Sequence, residues 1–425
     1  VSAVAAPPAV ARSQFDRFLE CLDPVVAGPR LARAVGADPR LTCTVLDAKF
    51  EPGRPAVLLY RLGGQLVRAT LTPDDGVAAP GLPAGAGLTV SRYPDDPALP
   101  GLPLLADHAA LASALQDALP ATEVVDVGSR LVRYRPGRRA TFVLDLRVRR
   151  GGLLRHRRLV AKAYHDPGKA AAVAAEGAAF GRQVTGPDLA LAPVVAHLPG
   201  PAVVLQGHLS GRVLEPGLTA YPPAPALSTA VARAARALAA FHRLAVPDGR
   251  PRPAAKELRR FVSRAEGVAT VAPVTGEVLL DLAHRLVALG APEGPVSLVH
   301  GDVKPAQFLL RHGPVALLDL DHSGVADPAY DVGNMAASLR QLGIRAGARA
   351  QPAAEDLAVT FVGAYLDAAV PVPEDDFVDR VEHYTAIALT RKALRAFARD
   401  PLSSLPTDLA AEAARVLDTL RGDHR

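Results

Sequence analysis

The hydrophobic period of this chain changes near residue 165, and that change limits the folds open to it. Before it, apolar residues fall in short runs bounded by glycine and proline, the pattern of strands and tight turns. One group covers residues 42–47, 56–62 and 65–71, with turns at Pro52-Gly53 and Gly63-Gly64. A second covers 130–134, 140–148 and 158–164, with a turn at Pro136-Gly137. A helical pattern at 108–119 separates them, and a proline-, glycine- and alanine-rich stretch at 73–103 breaks any longer element. Beyond 165 the spacing becomes that of amphipathic helices, at 170–183, 227–244, 275–289, 329–342, 355–369 and 376–398. Short apolar strands at 202–205, 297–300, 307–310 and 315–318 lie among them. Strands first and helices second predict two lobes, with a cleft between them where an active site normally sits.

The two strand groups resemble each other. Phe50-Glu-Pro-Gly-Arg-Pro-Ala matches Tyr134-Arg-Pro-Gly-Arg-Arg-Ala at a shift of 84 residues. Beyond the turn, the first group offers Arg68-Ala69 where the second offers Ala161-Lys162. A duplication and a shared turn chemistry both account for this likeness.

With 49% hydrophobic and 21% charged residues, the chain is composed like a globular protein and unlike a disordered tail, coiled coil or collagen-like rod. Its 425 residues have room for up to three domains. Cys21 and Cys43 are the only cysteines and belong to no ligand pattern. That argues against a disulfide scaffold or a Cys-based zinc site and fits a reducing cytoplasm. No apolar run reaches the roughly 18 residues of a membrane helix. Residues 1–12 lack the basic start and long apolar run of a signal peptide. The net charge is +5, yet only six of the 48 basic residues are lysines, a bias expected of a GC-rich coding sequence. The basic stretches 130–139 and 147–158 alternate with apolar residues and read as solvated strand faces and hairpin tips. Neither a nucleic acid nor a membrane is the expected partner, and the expected location is the cytoplasm.

The segment richest in chemistry begins at Leu298. An apolar strand delivers His300-Gly301-Asp302, a tight loop with Pro305 follows, and a short strand pair ends at Asp319. One carboxylate thus emerges from a loop and a second closes a neighbouring hairpin. Phosphoryl transfer from a nucleotide needs that combination. One aspartate orients the attacking hydroxyl, while oxygen ligands hold Mg²⁺ against the phosphates.

His300-Gly-Asp-Val-Lys-Pro-Ala-Gln resembles the catalytic loop of the aminoglycoside phosphotransferase family, small-molecule kinases of the protein-kinase-like superfamily. Asp319-Leu-Asp, followed by Ala326-Asp-Pro-Ala-Tyr-Asp331, is similar to the metal-binding aspartate of that family and the segment after it. The resemblance covers about 110–400 and implies an α+β, two-lobed protein-kinase-like fold, with an antiparallel-sheet N-lobe and a mainly helical C-lobe. An extra N-terminal α/β domain would occupy 1–105, as a degenerate repeat of the N-lobe; the N-lobe itself would span 106–208 and the C-lobe 209–425. By position, Asp302 would be the catalytic base, with Lys304 touching the transferred phosphate. Gln307 and Asp319 would be the metal ligands, His300 a brace for the loop, and Asp331 a tie to its backbone. Lys162 would pair with the nucleotide phosphates and Glu176, on the helix that follows, would position that lysine. The turn 135–139 would cover the phosphates, with Arg138 facing them. Backbone groups from Gln206 to His208 would bond adenine. The family usually has asparagine where Gln307 stands and glycine where Ala326 stands.

The resemblance implies ATP and Mg²⁺ as cofactors and a hydroxyl of a sugar, aminoglycoside or amino alcohol as acceptor. A catalytically weak, nucleotide-binding regulator of the same fold is the alternative. Several other residues take ordinary roles. His242 reads as packing or capping, Asp327 as a helix cap, and Asp321 as a residue behind the metal or against the substrate. The acidic run 374–376 reads as a solvated helix start, and Arg391, Lys392 and Arg395 as an exposed helix face.

Overall fold

A computed structural model describes residues 8–73, 87–214, 217, 222–245, 251, 254–369 and 374–422. Helices α1 (Pro8–Leu22) and α2 (Pro24–Ala34) come first, and the Asp23 carboxylate caps α2 by accepting from the Val25 N–H. An antiparallel meander follows, formed by β1 (Cys43–Lys49), β2 (Ala56–Leu62), β3 (Gln65–Leu71) and β4 (Leu88–Arg92). Two helices, α3 (Gly101–Ala106) and α4 (His108–Ala118), then lead into a second, five-stranded sheet. Its strands are β5 (Glu123–Arg135), β6 (Arg139–Arg150), β7 (Leu153–Tyr164), β9 (Val194–Leu198) and β10 (Val203–Gly207). They lie in the order β5-β6-β7-β10-β9 and pair antiparallel throughout. Helix α5 (Pro167–Gln183) and the short β8 (Leu189–Leu191) stand between β7 and β9.

The remainder is mainly helical. After β11 (Arg212–Val213) come α6 (Pro225–His242), α7 (Ala254–Val271) and α8 (Pro273–Leu289). The short strands β12 (Ser297–Val299), β13 (Phe308–Leu310), β14 (Val315–Leu317) and β15 (Gly324–Ala326) carry the loops of interest. Helices α9 (Ala329–Ala346), α10 (Gln351–Ala368), α11 (Glu374–Arg399) and α12 (Leu405–Gly422) complete the chain. No helix among the described residues is long and apolar enough to cross a membrane.

Sheet precedes helix, as the change of period predicts, and the elements are longer than their apolar runs. β6 and β7 extend through exposed basic residues, and such residues pair across the sheet, Arg149 of β6 with Glu123 of β5 at 2.6 Å and Arg158 of β7 with Asp145 of β6 at 2.6 Å. Helices α1, α2, α3, α7 and α12 and strands β4, β8, β9, β11 and β15 are not anticipated by the sequence reading. Of the proline-rich stretch 73–103, residues 74–86 lie outside the described residues, as do residues 1–7 and the side chains of Glu374 and Asp375.

The N-terminal meander shares its core with the helical half. Phe18, Phe50, Leu58 and Tyr60 belong to one buried cluster with Phe261, Phe377 and Phe397. Phe15 stacks on Phe397 at 6.0 Å, and the Phe50 N–H donates to the Ala398 carbonyl at 2.7 Å. The five-stranded sheet has a separate core, in which Phe142, Leu144 and Leu159 pack against Leu102, Leu111 and Leu115 of α3 and α4. A buried carboxylate joins the two sheets. Asp96 accepts from Arg68 of β3 at 2.8 Å, from the Tyr134 hydroxyl at 2.9 Å and from the Gly137 N–H at 2.6 Å.

Candidate active site

The loop after β12 is held from below by the first turn of α9. Asp331 there is fully buried. Its carboxylate accepts from the His300 N–H at 2.5 Å and the Gly301 N–H at 2.9 Å. The His242 Nε2 lies 3.1 Å from the same carboxylate and its Nδ1 2.8 Å from the Tyr365 hydroxyl. Burial alone would raise the Asp331 pKa, but His242, His300 and the Gly301 amide hold it below its ordinary value. Asp331 is therefore the backbone tie that its position implies. His242 does more than pack or cap, because its ring bonds the carboxylate of that tie.

His300 braces the loop from inside. Its Nε2 is 2.8 Å from the Leu318 carbonyl, and its Nδ1 accepts from the Asp302 N–H at 3.2 Å. That pair of contacts assigns the neutral tautomer with the proton on Nε2. Asp302 follows with its side chain 27% exposed, so the carboxylate is framed by the loop and still open to a ligand. Lys304 forms an ion pair with it. Burial would raise the Asp302 pKa, yet Lys304, His322 and Arg395 bring it down to about 2.

Asp319, past the end of β14, adopts a left-handed backbone (φ 64, ψ 56), which aspartate tolerates better than most residues. Its carboxylate meets two cations from the five-stranded sheet. Lys162 donates to Asp319 at 2.8 Å and to Asp321 at 3.0 Å. Arg139 grips Asp319 in a fork, at 2.8 and 3.1 Å, and also bonds Asp321. The Tyr164 hydroxyl adds a bond to Asp321 at 3.1 Å, and Lys169 donates to the Asp321 carbonyl. Against the effect of burial, Lys162 and Arg139 hold Asp319 well below the carboxylate range. Lys162 is fully enclosed and remains charged, because Asp321 and Asp319 outweigh its desolvation. Asp321 thus sits in the cation cluster itself.

Two expectations are corrected here. Arg138 is exposed, and Arg139 is the loop arginine that enters the site. Strand parity explains the difference. Arg139 lies in register with Arg135 and Tyr164, so these three share the face that looks onto the carboxylates. Glu176 is half-buried on α5 and takes part in no ion pair among the described residues. Lys162 pairs instead with the two carboxylates it is enclosed with. Arg135 feels the field of both acidic groups: burial, Arg133 and Arg139 push its pKa down to about 10, while Asp302 and Asp319 both oppose that shift.

Gln206 and Gly207 belong to the sheet, where β10 ends. The Gly207 N–H donates to the Pro193 carbonyl at 2.8 Å and the His208 N–H to the Arg158 carbonyl at 3.3 Å. Strand pairing thus continues past Gln206, and the amides of that stretch are engaged within the sheet.

Arg391, Lys392 and Arg395 do not form a common exposed face. Arg391 donates to the Tyr330 hydroxyl and Asn334 side chain, both at 2.7 Å, and pairs with Glu257 at 3.2 Å. Lys392 donates to the Ser338 hydroxyl at 3.0 Å and to Gln341 at 3.1 Å. Arg395 alone is exposed. The expected cap does form: Asp327 accepts from the Ala329 N–H at 2.9 Å, and it also pairs with Arg380 at 2.8 Å.

A two-lobed kinase-like fold with ionised aspartates on neighbouring loops defines a class of phosphate-transferring proteins. Residues 146–371, more than half of the chain, match the model of the phosphotransferase enzyme family, and the chain belongs to that family. No curated protein matches it. Among solved structures it is similar to a choline kinase from Cryptosporidium parvum Iowa II, with 13% identity and a TM-score of 0.50, over 70% of this chain and 91% of that one. It is also similar to a macrolide 2'-phosphotransferase from Brachybacterium faecium, with 17% identity and a TM-score of 0.45, over 71% and 97% of the two chains. For a putative fructosamine-3-kinase from Thermobifida fusca the values are 18% and 0.46, over 72% and 98%. At 13% identity the likeness to the choline kinase is one of fold.

Proposed function

We propose that this phosphotransferase moves the γ-phosphoryl group of ATP to a hydroxyl of a small molecule. The observation that carries the reading is a pair of ionised carboxylates on neighbouring loops, Asp302 partly open and paired with Lys304, and Asp319 held by Lys162 and Arg139. Asp302 orients the acceptor hydroxyl and takes its proton as the oxygen attacks. Lys304, two residues on, leaves Asp302 for the transferred phosphoryl group, whose charge it offsets. Lys162 and Arg139 stabilise the nucleotide phosphates. Since the Gly207 and His208 amides are engaged and Gln206 is paired with Val160, adenine would use the Gly207 carbonyl, which lies on the side of Pro193, a residue with no N–H, or groups beyond it.

Gln307 and Asp319 fit a magnesium ion. Both offer oxygen, Asp319 stays ionised, and the buried Gln307 side chain makes no hydrogen bond among the described residues. No three His, Cys, Asp or Glu side chains among the described residues converge on one point, so phosphate and water would supply the rest of the shell. When bound, the ion would neutralise charge on the β- and γ-phosphates. The fork of Arg139 on Asp319 favours a second reading, a nucleotide-binding regulator without turnover.

The test is ATP-dependent phosphorylation of a panel of hydroxyl compounds by the wild type and Asp302→Ala. The variant is expected to lose two to four orders of magnitude in rate, on the order of a general base's contribution, and to keep nucleotide binding. Equal turnover in the variant rejects the assignment, and nucleotide binding with no turnover by the wild type supports the regulator.

A further inference from the structure

The cations around the proposed base fall into two sets from different parts of the fold. Lys162, Arg139 and Arg135 come from the five-stranded sheet and face Asp319. The other set belongs to the helical half. Arg391, Lys392 and Arg395 are spaced so that each of the first two lies one turn from the third on α11. That helix packs on α7 and α9, and α9 is the helix whose Asp331 anchors the loop carrying Asp302. All three side chains lie within electrostatic reach of Asp302, and Lys304 is paired with it.

This second set is short of counter-charge. Glu257 compensates Arg391, and Asp302 compensates Lys304. Among the described residues Lys392 bonds neutral partners only, Ser338 and Gln341. Arg395 is exposed and makes no hydrogen bond or ion pair among the described residues. An excess of like charge beside a buried lysine is costly unless a ligand of opposite sign completes it. Lys392 registers that excess, since burial and then Arg391, Arg395 and Lys304 push its pKa down to about 7.

We infer that the acceptor of this enzyme is an anion, a hydroxylated molecule bearing a phosphate or carboxylate group that Arg395 and Lys392 bind beside Asp302. The inference rests on the phosphotransferase reading above and narrows its acceptor. A guanidinium with unspent donors can take two oxygens of such a group in a fork, with the adjacent ammonium completing the contact. A cationic amine in the same place would meet repulsion from both.

The experiment compares matched acceptors in the presence of ATP and Mg²⁺: a polyol, its monophosphate, the corresponding hydroxy carboxylate and the corresponding amine. The wild type is expected to prefer one of the two anions to the polyol by about tenfold or more in kcat/KM, and to use the amine least. Arg395→Gln is expected to reduce that preference about tenfold, the scale of one charge-assisted contact. A separate arm measures binding of glycerol phosphate and of glycerate to enzyme saturated with ADP, and needs no turnover. Binding of either anion that weakens about tenfold in both Arg395→Gln and Lys392→Met supports the inference even if no acceptor in the panel reacts. The inference is overturned if the amine is used as well as the anions, or if neither anion binds the ADP-filled enzyme. It is also overturned if neither variant changes anion binding. Phosphorylation that survives in Asp302→Ala would overturn the parent reading instead, whatever the charge preference.

Discussion

Two turns of nearly the same sequence do different work in this molecule. Glu51-Pro52-Gly53-Arg54 links β1 to β2, and Arg135-Pro136-Gly137-Arg138 links β5 to β6. In each, the fourth residue's N–H donates to the first residue's carbonyl at 3.0 Å, and the glycine sits at positive φ, 74° for Gly53 and 67° for Gly137. Proline second and glycine third is what such a turn requires. A side-chain oxygen even accepts from each glycine N–H, from Gln14 at 3.2 Å in the first turn and from Asp96 at 2.6 Å in the second. The flanking charges make the difference. Glu51 faces Lys49, Arg54 and Arg264 and docks the first turn against α7. Arg135 and Arg139 aim the second turn at Asp319, and the place after the turn that Arg139 fills is taken by Pro55 in the first. Turn chemistry sets the shape, and the residues beside it decide the use.

The widest separation between the two turns is expected from their arginines. Arg139→Ala should weaken nucleotide binding about tenfold or more, as loss of a charge-assisted fork does. Arg54→Ala should leave it unaltered and cost less than about 1 kcal/mol in stability, since that side chain is 64% exposed in its pair with Glu51. Nucleotide titrations beside thermal melts check both; equal effects of the two on nucleotide binding would erase the contrast.

A pH effect of intermediate size belongs to the second site alone. The Asp302 carboxylate, depressed to about 2, contributes stability that is complete above its unfolded pKa and lost as pH falls toward 2. Lys304→Ala removes the main attraction, so the carboxyl should regain its proton at higher pH. The acid limb of kcat/KM and the acid-unfolding midpoint should both move upward, and a pH–rate profile with an unmoved limb would contradict this. The smallest effect should come from Gly53→Ala and Gly137→Ala. Each should lose about 1 kcal/mol in a denaturant melt, because positive φ disfavours a Cβ. Only Gly137→Ala is expected to raise the nucleotide KM as well.

The order of sheet and helix was legible because period is local. So was the grouping of His300, Asp302 and Asp319 on two neighbouring loops, and His300 and Asp331 make the loop contacts that the family resemblance implied. Parity was harder to read: whether Arg138 or Arg139 points inward depends on a register with Tyr164 that adjacent residues do not reveal. The partner of Lys162 is separated from it by more than 150 residues. Arg391 and Lys392 looked solvated by composition, although Ile387, Ala388, Leu389, Ala393 and Leu394 around them are all buried. A helix apolar on every side encloses its charges, and that signal was available. Leu258, Phe261, Ala265 and Val268 likewise announce α7 by their spacing.

The N-terminal meander bears on how the cleft can move. Through Phe50 and Phe397 it is fastened to the helical half, and through Asp96 to the turn above the carboxylates. Two plates joined at a single edge can swing, but a strut across the gap turns the frame into a triangle, which is stiff. Entry and exit of ligands should therefore depend on Arg139 and Lys304 letting go of their aspartates rather than on a wide gape between lobes.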